Sequence, residues 1–316
     1  MEMSKPYPPI IKQTPLVWRV MGLNPGPMTL YGSNTYLVGS GKSRALIDSG
    51  EGMPHYKAMV QTALRDIEKE FGEPVSISHL FLTHWHPDHV GGVPAIRELF
   101  PQVEIYKKPS QYNPVEVDSI AKEPPEIFKV EGATMKVIPC PGHTDDHLCL
   151  FLEEEKAMFT GDTVLGEGSS TFSCYREYMA SLHLLKSYKP IGLYPAHGRV
   201  LLSGAEERIE EMIQHRQKRE AQIVDTLSKR DGDMNILQLV RTIYSDTPQE
   251  LWGAAGLNVF HHLKKLIHEK VIQVVSRPDM ELDILSDAND YTLLGEGVKT
   301  DASVMEKIFN EFKVKK

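Results

Sequence analysis

The chain has 316 residues, 41% of them hydrophobic, enough for one large domain or one large and one small without covalent staples. Its formal net charge of −8 excludes global steering toward nucleic acid, so such binding would need a local basic patch. Its three cysteines form no C-x-x-C pair and no apolar run reaches membrane-spanning length, which argues against a disulfide framework and a membrane anchor. Residues 17–21 and 35–38 read as strands around the Gly/Pro/Asn-rich loop 22–34. A further strand, 45–48, stops at Ser49-Gly50. Helical periodicity runs over 55–71 through Met59, Ala63, Leu64 and Ile67. The apolar segment 77–84 reads as a buried strand that runs into a histidine cluster, and 93–100 as a helix. Short strands follow at 103–106, 134–138, 147–152 and 157–160. A helix fits 177–187, and 193–197 reads as a strand ending in His197. Interleaved strands and helices with histidines at strand ends predict a layered α/β fold with a site at one sheet edge.

The pattern changes near Gly204. Residues 205–230 read as a long charged helix, and 235–244 as a helix with Ile236, Leu239, Val240 and Ile243 on one face. Thr247 and Pro248 suit the N-cap and first position of a second helix through Leu251, Leu257, Phe260, Leu263 and Ile267. A strand at 270–275 completes the outline of a winged helix-turn-helix. Residues 276–316 read as a tail, with a short amphipathic helix capped by Ser303 and Glu306. The expected division is thus 1–204, 205–275 and 276–316.

The stretch THWHPDHVGG, residues 83–92, holds His84, His86, Asp88 and His89. Residues two apart on extended chain point the same way, so His84 and His86 share a side. Pro87 then starts a turn that lets Asp88 and His89 approach from another direction. Imidazole and carboxylate without thiolate suit zinc, with manganese or iron(II) as alternatives. Four such groups are too many for one open catalytic ion, which points to two metals. Further ligand types end apolar strands beside glycine: His143 in PCPGH, Asp162 in MFTGD and His197 in YPAHG. One His before Gly reads most simply as a capped turn; four such segments together do not.

The order H-x-H-x-D-H, PGHT, GD and a final HG resembles the metallo-β-lactamase superfamily over residues 17–204. Within it, NPGPMTLYGSNTYLVG, LIDSG, PGHTDDH and FTGDTVLGEGSS resemble the metallo-β-lactamase-like protein 2 group of endoribonucleases, which also ends in a small winged-helix domain. The resemblance implies an αββα sandwich with a small C-terminal winged-helix-like domain and two zinc ions per chain. His84, His86 and His143 would hold one zinc, Asp88, His89 and His197 the other, and Asp162 would join them. Asp48 would hydrogen-bond the His84–His89 loop behind the ligands. Two metals about 3.5–4 Å apart lower the pKa of a shared water, so that hydroxide attacks an electrophilic centre at neutral pH. Asp88, Asp162 and His197 are the candidate catalytic residues. No side-chain nucleophile is needed, and Cys140 reads as small core filler. His147 in PGHTDDH reads equally as a loop hydrogen-bonder or as a support for a ligand. Asn34 reads equally as site floor or turn residue. Ser169, Ser170 and Thr171 are candidate phosphate contacts, though a plain polar loop describes them as well.

The metals do not name the bond they cleave. The resemblance implies single-stranded RNA as substrate and, by the same kinship, a mitochondrial matrix location, with the cytoplasm as alternative; no secretion signal is read. Basic clusters at 215–219 and 261–265 supply candidate phosphate contacts, with Lys218 and Lys264 foremost. Both helices also carry Glu, so a solvated mixed-charge face competes with that reading. Hydrolysis of a small thioester or other acyl substrate, as in glyoxalase II-like and polyketide thioesterase relatives, is the alternative. A third is a dimerisation module, and a monomer or homodimer is expected.

Overall fold

The computed structural model describes residues 7–110, 112, 117–276 and 310–315. The chain forms two compact units. Unit one comprises Met1–Cys140, Asp146–Gly168 and Tyr188–Glu206; unit two comprises Pro141–Asp145, Ser169–Ser187 and Glu207–Lys316.

Unit one begins with β1 (Ile10–Lys12), β2 (Val17–Met21), β3 (Asn34–Val38) and β4 (Ser43–Ile47), paired antiparallel in chain order. Helix α1 (Tyr56–Phe71) leads to β5 (Ser76–Phe81); α2 (Pro87–Val90) and α3 (Val93–Leu99) lead to β6 (Glu104–Tyr106). β4, β5 and β6 pair in parallel, so each connection must cross over, and helices make those crossings. A second sheet contains β7 (Ile127–Val130), β8 (Ala133–Pro139), β9 (Leu148–Leu152), β10 (Ala157–Gly161) and β11 (Gly192–Pro195), in spatial order β11-β10-β9-β8-β7.

Strand alternation explains how two sheets and a helical layer share one unit. Val17, Tyr36, Val38, Ala45, Ile47 and Phe81 pack against Met135, Leu150, Leu152 and Phe159 of the second sheet. Their neighbours Trp18, Val20, Leu37, Leu46 and Leu80 point the other way and pack against Val60, Ala63 and Leu64 of α1 and Ile96 of α3. The period-two reversal thus places one core between the sheets and another beneath the helices.

Two strands end earlier than the sequence predicts. β4 stops at Ile47 because Asp48 takes a left-handed φ of 58°. β5 stops at Phe81, and the N–H of Thr83 donates to the Asp48 carboxylate rather than to a neighbouring strand. The two short strands β1 and β7 have no strong period and were not expected. No helix among the described residues is long and apolar enough to cross a membrane.

Unit two contains α4 (Tyr175–Ser187) and most of α5 (Ala205–Ser228), then β12 (Met234–Asn235), α6 (Ile236–Ile243), α7 (Trp252–His268), β13 (Gln273–Ser276) and β14 (Lys313–Lys315). Asn235 and Gln238 form a reciprocal capping box that starts α6. Thr247 is not the cap of the next helix. A 3-10 turn at Gln249–Leu251 intervenes, and the indole of Trp252 donates to the Thr247 carbonyl at 3.0 Å. The tail reading of 276–316 also changes at its end: β14 lies between β12 and β13, with Phe312 and Val314 in the core beside Val259, Phe260 and Leu263. The expected helix at Ser303 and Glu306 lies outside the described residues.

Candidate metal centre

The centre of unit one is built where strands end and turns begin. Asp48 follows β4, and its odd backbone angle turns its carboxylate toward the histidine loop. Its Oδ1 accepts from the Thr83 N–H at 2.8 Å, and its Oδ2 from the Thr83 hydroxyl at 2.9 Å. The same Oδ2 lies 2.8 Å from His89 Nδ1, which places a proton on Nδ1 and aims Nε2 into the cluster. His86 precedes Pro87, the first residue of α2, so the helix presents Asp88 and His89 within its first turn. The two glycines that follow are sterically required. A Cβ at Gly92 would sit 1.9 Å from the Ser49 carbonyl oxygen, and Ser49 itself bonds the His89 carbonyl.

Two groups of ligand atoms result. Those of His84, His86 and Asp162 lie within 4.8 Å of one another, as do those of Asp88, His89 and His197. Asp162 also reaches the second group: its Oδ1 is 3.3 Å from His197 Nε2 and 3.6 Å from His89 Nε2. Asp88 Oδ2 lies 3.1 Å from His197 Nε2 and 3.3 Å from His89 Nε2. His143 belongs to unit two, on the short Pro141–Asp145 segment. There its Nδ1 lies 2.8 Å from the Thr171 carbonyl and 3.0 Å from the Ser170 hydroxyl.

The electrostatics are those of a site that wants a cation. Burial opposes charge on His89, but Asp88, Asp48 and Asp162 outweigh it and hold the ring well above its usual range. Burial likewise opposes charge on His197, yet Asp162 and Asp88 push it up to about 9. Asp88 is held well below the usual carboxylate range, because His89 and His197 outweigh the opposing effect of burial. His89 Nε2 is buried without a hydrogen-bond partner among the described residues. A buried imidazole nitrogen so placed, ringed by carboxylates, fits a divalent cation, and binding one would displace the protons that these histidines otherwise hold.

Several contributors lacked a decisive sequence signal. Ser33 donates to Asp88 Oδ2 at 3.0 Å and is itself held by Asn24. His147 accepts from the Asp162 backbone N–H at 3.0 Å, and its ring stacks on His84 at 4.9 Å. Gly161 lies beside it with φ 48°, and a Cβ there would stand 2.6 Å from His147 Nε2. Asn34 is not a turn residue. It lies in β3, and its amide donates to the carbonyls of Pro195 and Gly198 at 3.0 Å each, clamping the loop that carries His197.

Other candidates sit elsewhere than expected. Ser169 is exposed, whereas Ser170 is buried and turned to His143. Lys218 is exposed on α5, but Lys264 is buried on α7, so it has no open face to offer a phosphate. Arg216 is buried, Arg219 stacks on Tyr244 at 3.8 Å, and Lys265 pairs with Glu220 at 2.7 Å. Most of the two basic clusters therefore builds unit two. Cys140 is fully buried, and burial together with Cys149 pushes its thiol well above its usual range, which suits packing and not nucleophilic attack.

Residues 28–214 match the model of the Metallo-beta-lactamase superfamily. The chain belongs to that superfamily. Residues 236–277 match the Beta-lactamase associated winged helix domain. The chain is 37% identical to a Beta-lactamase-like protein 2 homolog of Drosophila melanogaster, over 87% of this chain and 95% of the relative. It is 39% identical to an atrochrysone carboxyl ACP thioesterase of Cryptosporiopsis sp. (strain 8999), over 74% of this chain and 73% of the relative. Its fold is similar to that of a metallo-beta-lactamase family protein from Thermus thermophilus, with a TM-score of 0.65 at 20% identity, over 83% of this chain and 97% of that one. The superfamily's mixed α/β fold with a C-terminal winged-helix domain is thus the fold of this chain, as the motif order implied.

Proposed function

We propose that this metallo-β-lactamase superfamily member is a dinuclear metal-dependent hydrolase that cleaves single-stranded RNA internally, with zinc as its metal. The motif resemblance to the metallo-β-lactamase-like protein 2 group carries the RNA reading, and 37% identity over 87% of this chain to a Beta-lactamase-like protein 2 homolog supports that kinship. His84, His86 and His143 would hold one ion, and Asp88, His89 and His197 the other, with Asp162 shared. The reach of Asp162 toward both groups in unit one supports the dinuclear reading. Such ions, held by these residues, would supply a water acidic enough to ionise at neutral pH and positive charge for a developing oxyanion. The chain's own residues orient and insulate that chemistry. Asp48 fixes the His89 tautomer, Ser33 and His147 hold Asp88 and Asp162, and Asn34 clamps the His197 loop. A mitochondrial matrix location, with the cytoplasm as alternative, belongs to the same proposal.

A second reading, hydrolysis of an acyl thioester, is favoured by a specific observation. Lys264, Arg216 and Arg219 are engaged inside unit two, and relatives 39% and 40% identical are named thioesterases. The deciding experiment incubates the purified full chain with end-labelled single-stranded RNA and, separately, with an acyl-pantetheine thioester. Internal RNA cleavage that stops on chelation and in Asp162→Ala is expected. Thioester turnover with intact RNA would replace the first reading by the second.

A further inference from the structure

Arg216 is 1% exposed, on a helix whose opposite face is in water. A buried guanidinium is costly unless its donors and ring faces are met. Its Cζ lies 4.9 Å from the ring centre of Phe172 and 5.3 Å from that of Tyr178. Its Nη2 donates to the carbonyl of Ser170. Packing alone would be served by an apolar side chain; a donor at this point fixes one particular carbonyl.

That carbonyl belongs to the loop that grips His143. The Ser170 hydroxyl lies 3.0 Å from His143 Nδ1, and the Thr171 carbonyl 2.8 Å from the same nitrogen. The Ser173 hydroxyl donates to the carbonyls of Gly142 at 3.2 Å and His143 at 3.1 Å. The N–H groups of Ser173 and Cys174 reach the Gly142 carbonyl at 2.8 and 3.1 Å. The loop therefore holds both the ring and the backbone of His143. A carbonyl can only accept, so its contact places the proton on Nδ1 and leaves Nε2 as the unprotonated, ligating nitrogen.

We propose that Arg216 is a positioning residue for His143, fixing through Ser170 and Thr171 the tautomer and pose in which that histidine takes a metal. The inference rests on the metal reading above. The test uses full-length protein carrying Arg216→Gln, Arg216→Lys or Arg219→Gln. Arg219 is the control: it is on the same helix and stacks on Tyr244 at 3.8 Å, but donates to the Ile243 carbonyl, away from the His143 loop. Zinc affinity is read by competition with a chromophoric chelator, the ligand field by the cobalt(II) absorption spectrum, and folding by circular dichroism. Arg216→Gln is expected to weaken one zinc by about 10- to 100-fold and to change the cobalt spectrum. Arg216→Lys, which keeps the charge and the reach to the Ser170 carbonyl that the shorter, neutral Gln loses, recovers part of the loss, and Arg219→Gln leaves both readouts unchanged. If Arg216→Gln does not fold, Ser170→Ala, which keeps the arginine and removes one contact to His143, carries the same expectation of weaker zinc. Equal losses in Arg216→Gln and Arg219→Gln, or wild-type affinity in folded Arg216→Gln, overturn the inference alone. A wild-type chain that takes up no zinc overturns the metal reading and this inference together.

Discussion

His197 in unit one and His261 in unit two are both buried, yet their protonation shifts in opposite directions. Burial opposes charge on both. Around His197 the carboxylates of Asp162 and Asp88 outweigh it and push the ring up to about 9. Among the described residues no such carboxylate offsets this at His261, and burial, then Lys264 and His262, push it down to about 3. His215 follows His261, pushed down to about 4 by burial and then by Arg216 and Arg219. His262 is also lowered, because burial outweighs its facing Glu220. The sequence spells both groups as dense histidine clusters, but among the described residues it is the His197 group that is ringed by acids. The carboxylates, not the histidines, mark the place for a cation.

Removing the carboxylate proposed to be shared is the harshest test of this contrast. Asp162→Ala is expected to reduce turnover to background and to weaken both metals, as measured by elemental analysis alongside kinetics. Turnover at wild-type level would place the chemistry elsewhere. Next in size is a matched pair of histidine substitutions. His89→Ala is expected to lower bound zinc by about half, since one ion loses a ligand and a buried partner. His261→Gln should leave zinc content unchanged, although His261 is equally buried; a loss there would erase the distinction between the clusters.

The acid response sharpens the same comparison. The folded-state values of His261 and His215 lie below the ordinary value of about 6.5, so the unfolded chain binds more protons under mildly acidic conditions. Their contribution is fully present above that value and is lost as pH falls through it toward about 4. Urea midpoints should therefore fall from pH 7 to pH 5, and His261→Gln should make that fall shallower. An unchanged slope would mean that His261 does not titrate with unfolding. The smallest effect is expected at Cys140. With the thiol buried and pushed up in pKa, Cys140→Ser should turn over substrate at the wild-type rate. Complete loss of activity in folded, metal-loaded protein would point to a thiol nucleophile.

The candidate ligand positions were legible because strands ending in His or Asp beside Gly are a local pattern. Asp48 was reached only through the resemblance, and its left-handed turn carries no spacing signal. Ser33 was missed because its partner Asp88 is 55 residues away and only the fold brings them together. β14 was missed because a three-residue strand carries no usable period. The basic clusters were overread, although the correcting signal was present. Arg216, Arg219, Ile223 and Leu227 recur at helical spacing, which puts both arginines on the face that Ile223 and Leu227 bury in the core of unit two. Long aliphatic stems let such side chains serve packing while their charges find carbonyls and rings.

The most direct test of the dinuclear reading is the metal content of freshly purified full-length protein, followed by chelation and reconstitution. About two transition-metal ions per chain are expected, zinc foremost. Chelation should remove hydrolysis and added zinc should restore it. A metal-free preparation that remains fully active in chelator would contradict the assignment of His84, His86, Asp88, His89, His143, Asp162 and His197 as a metal centre.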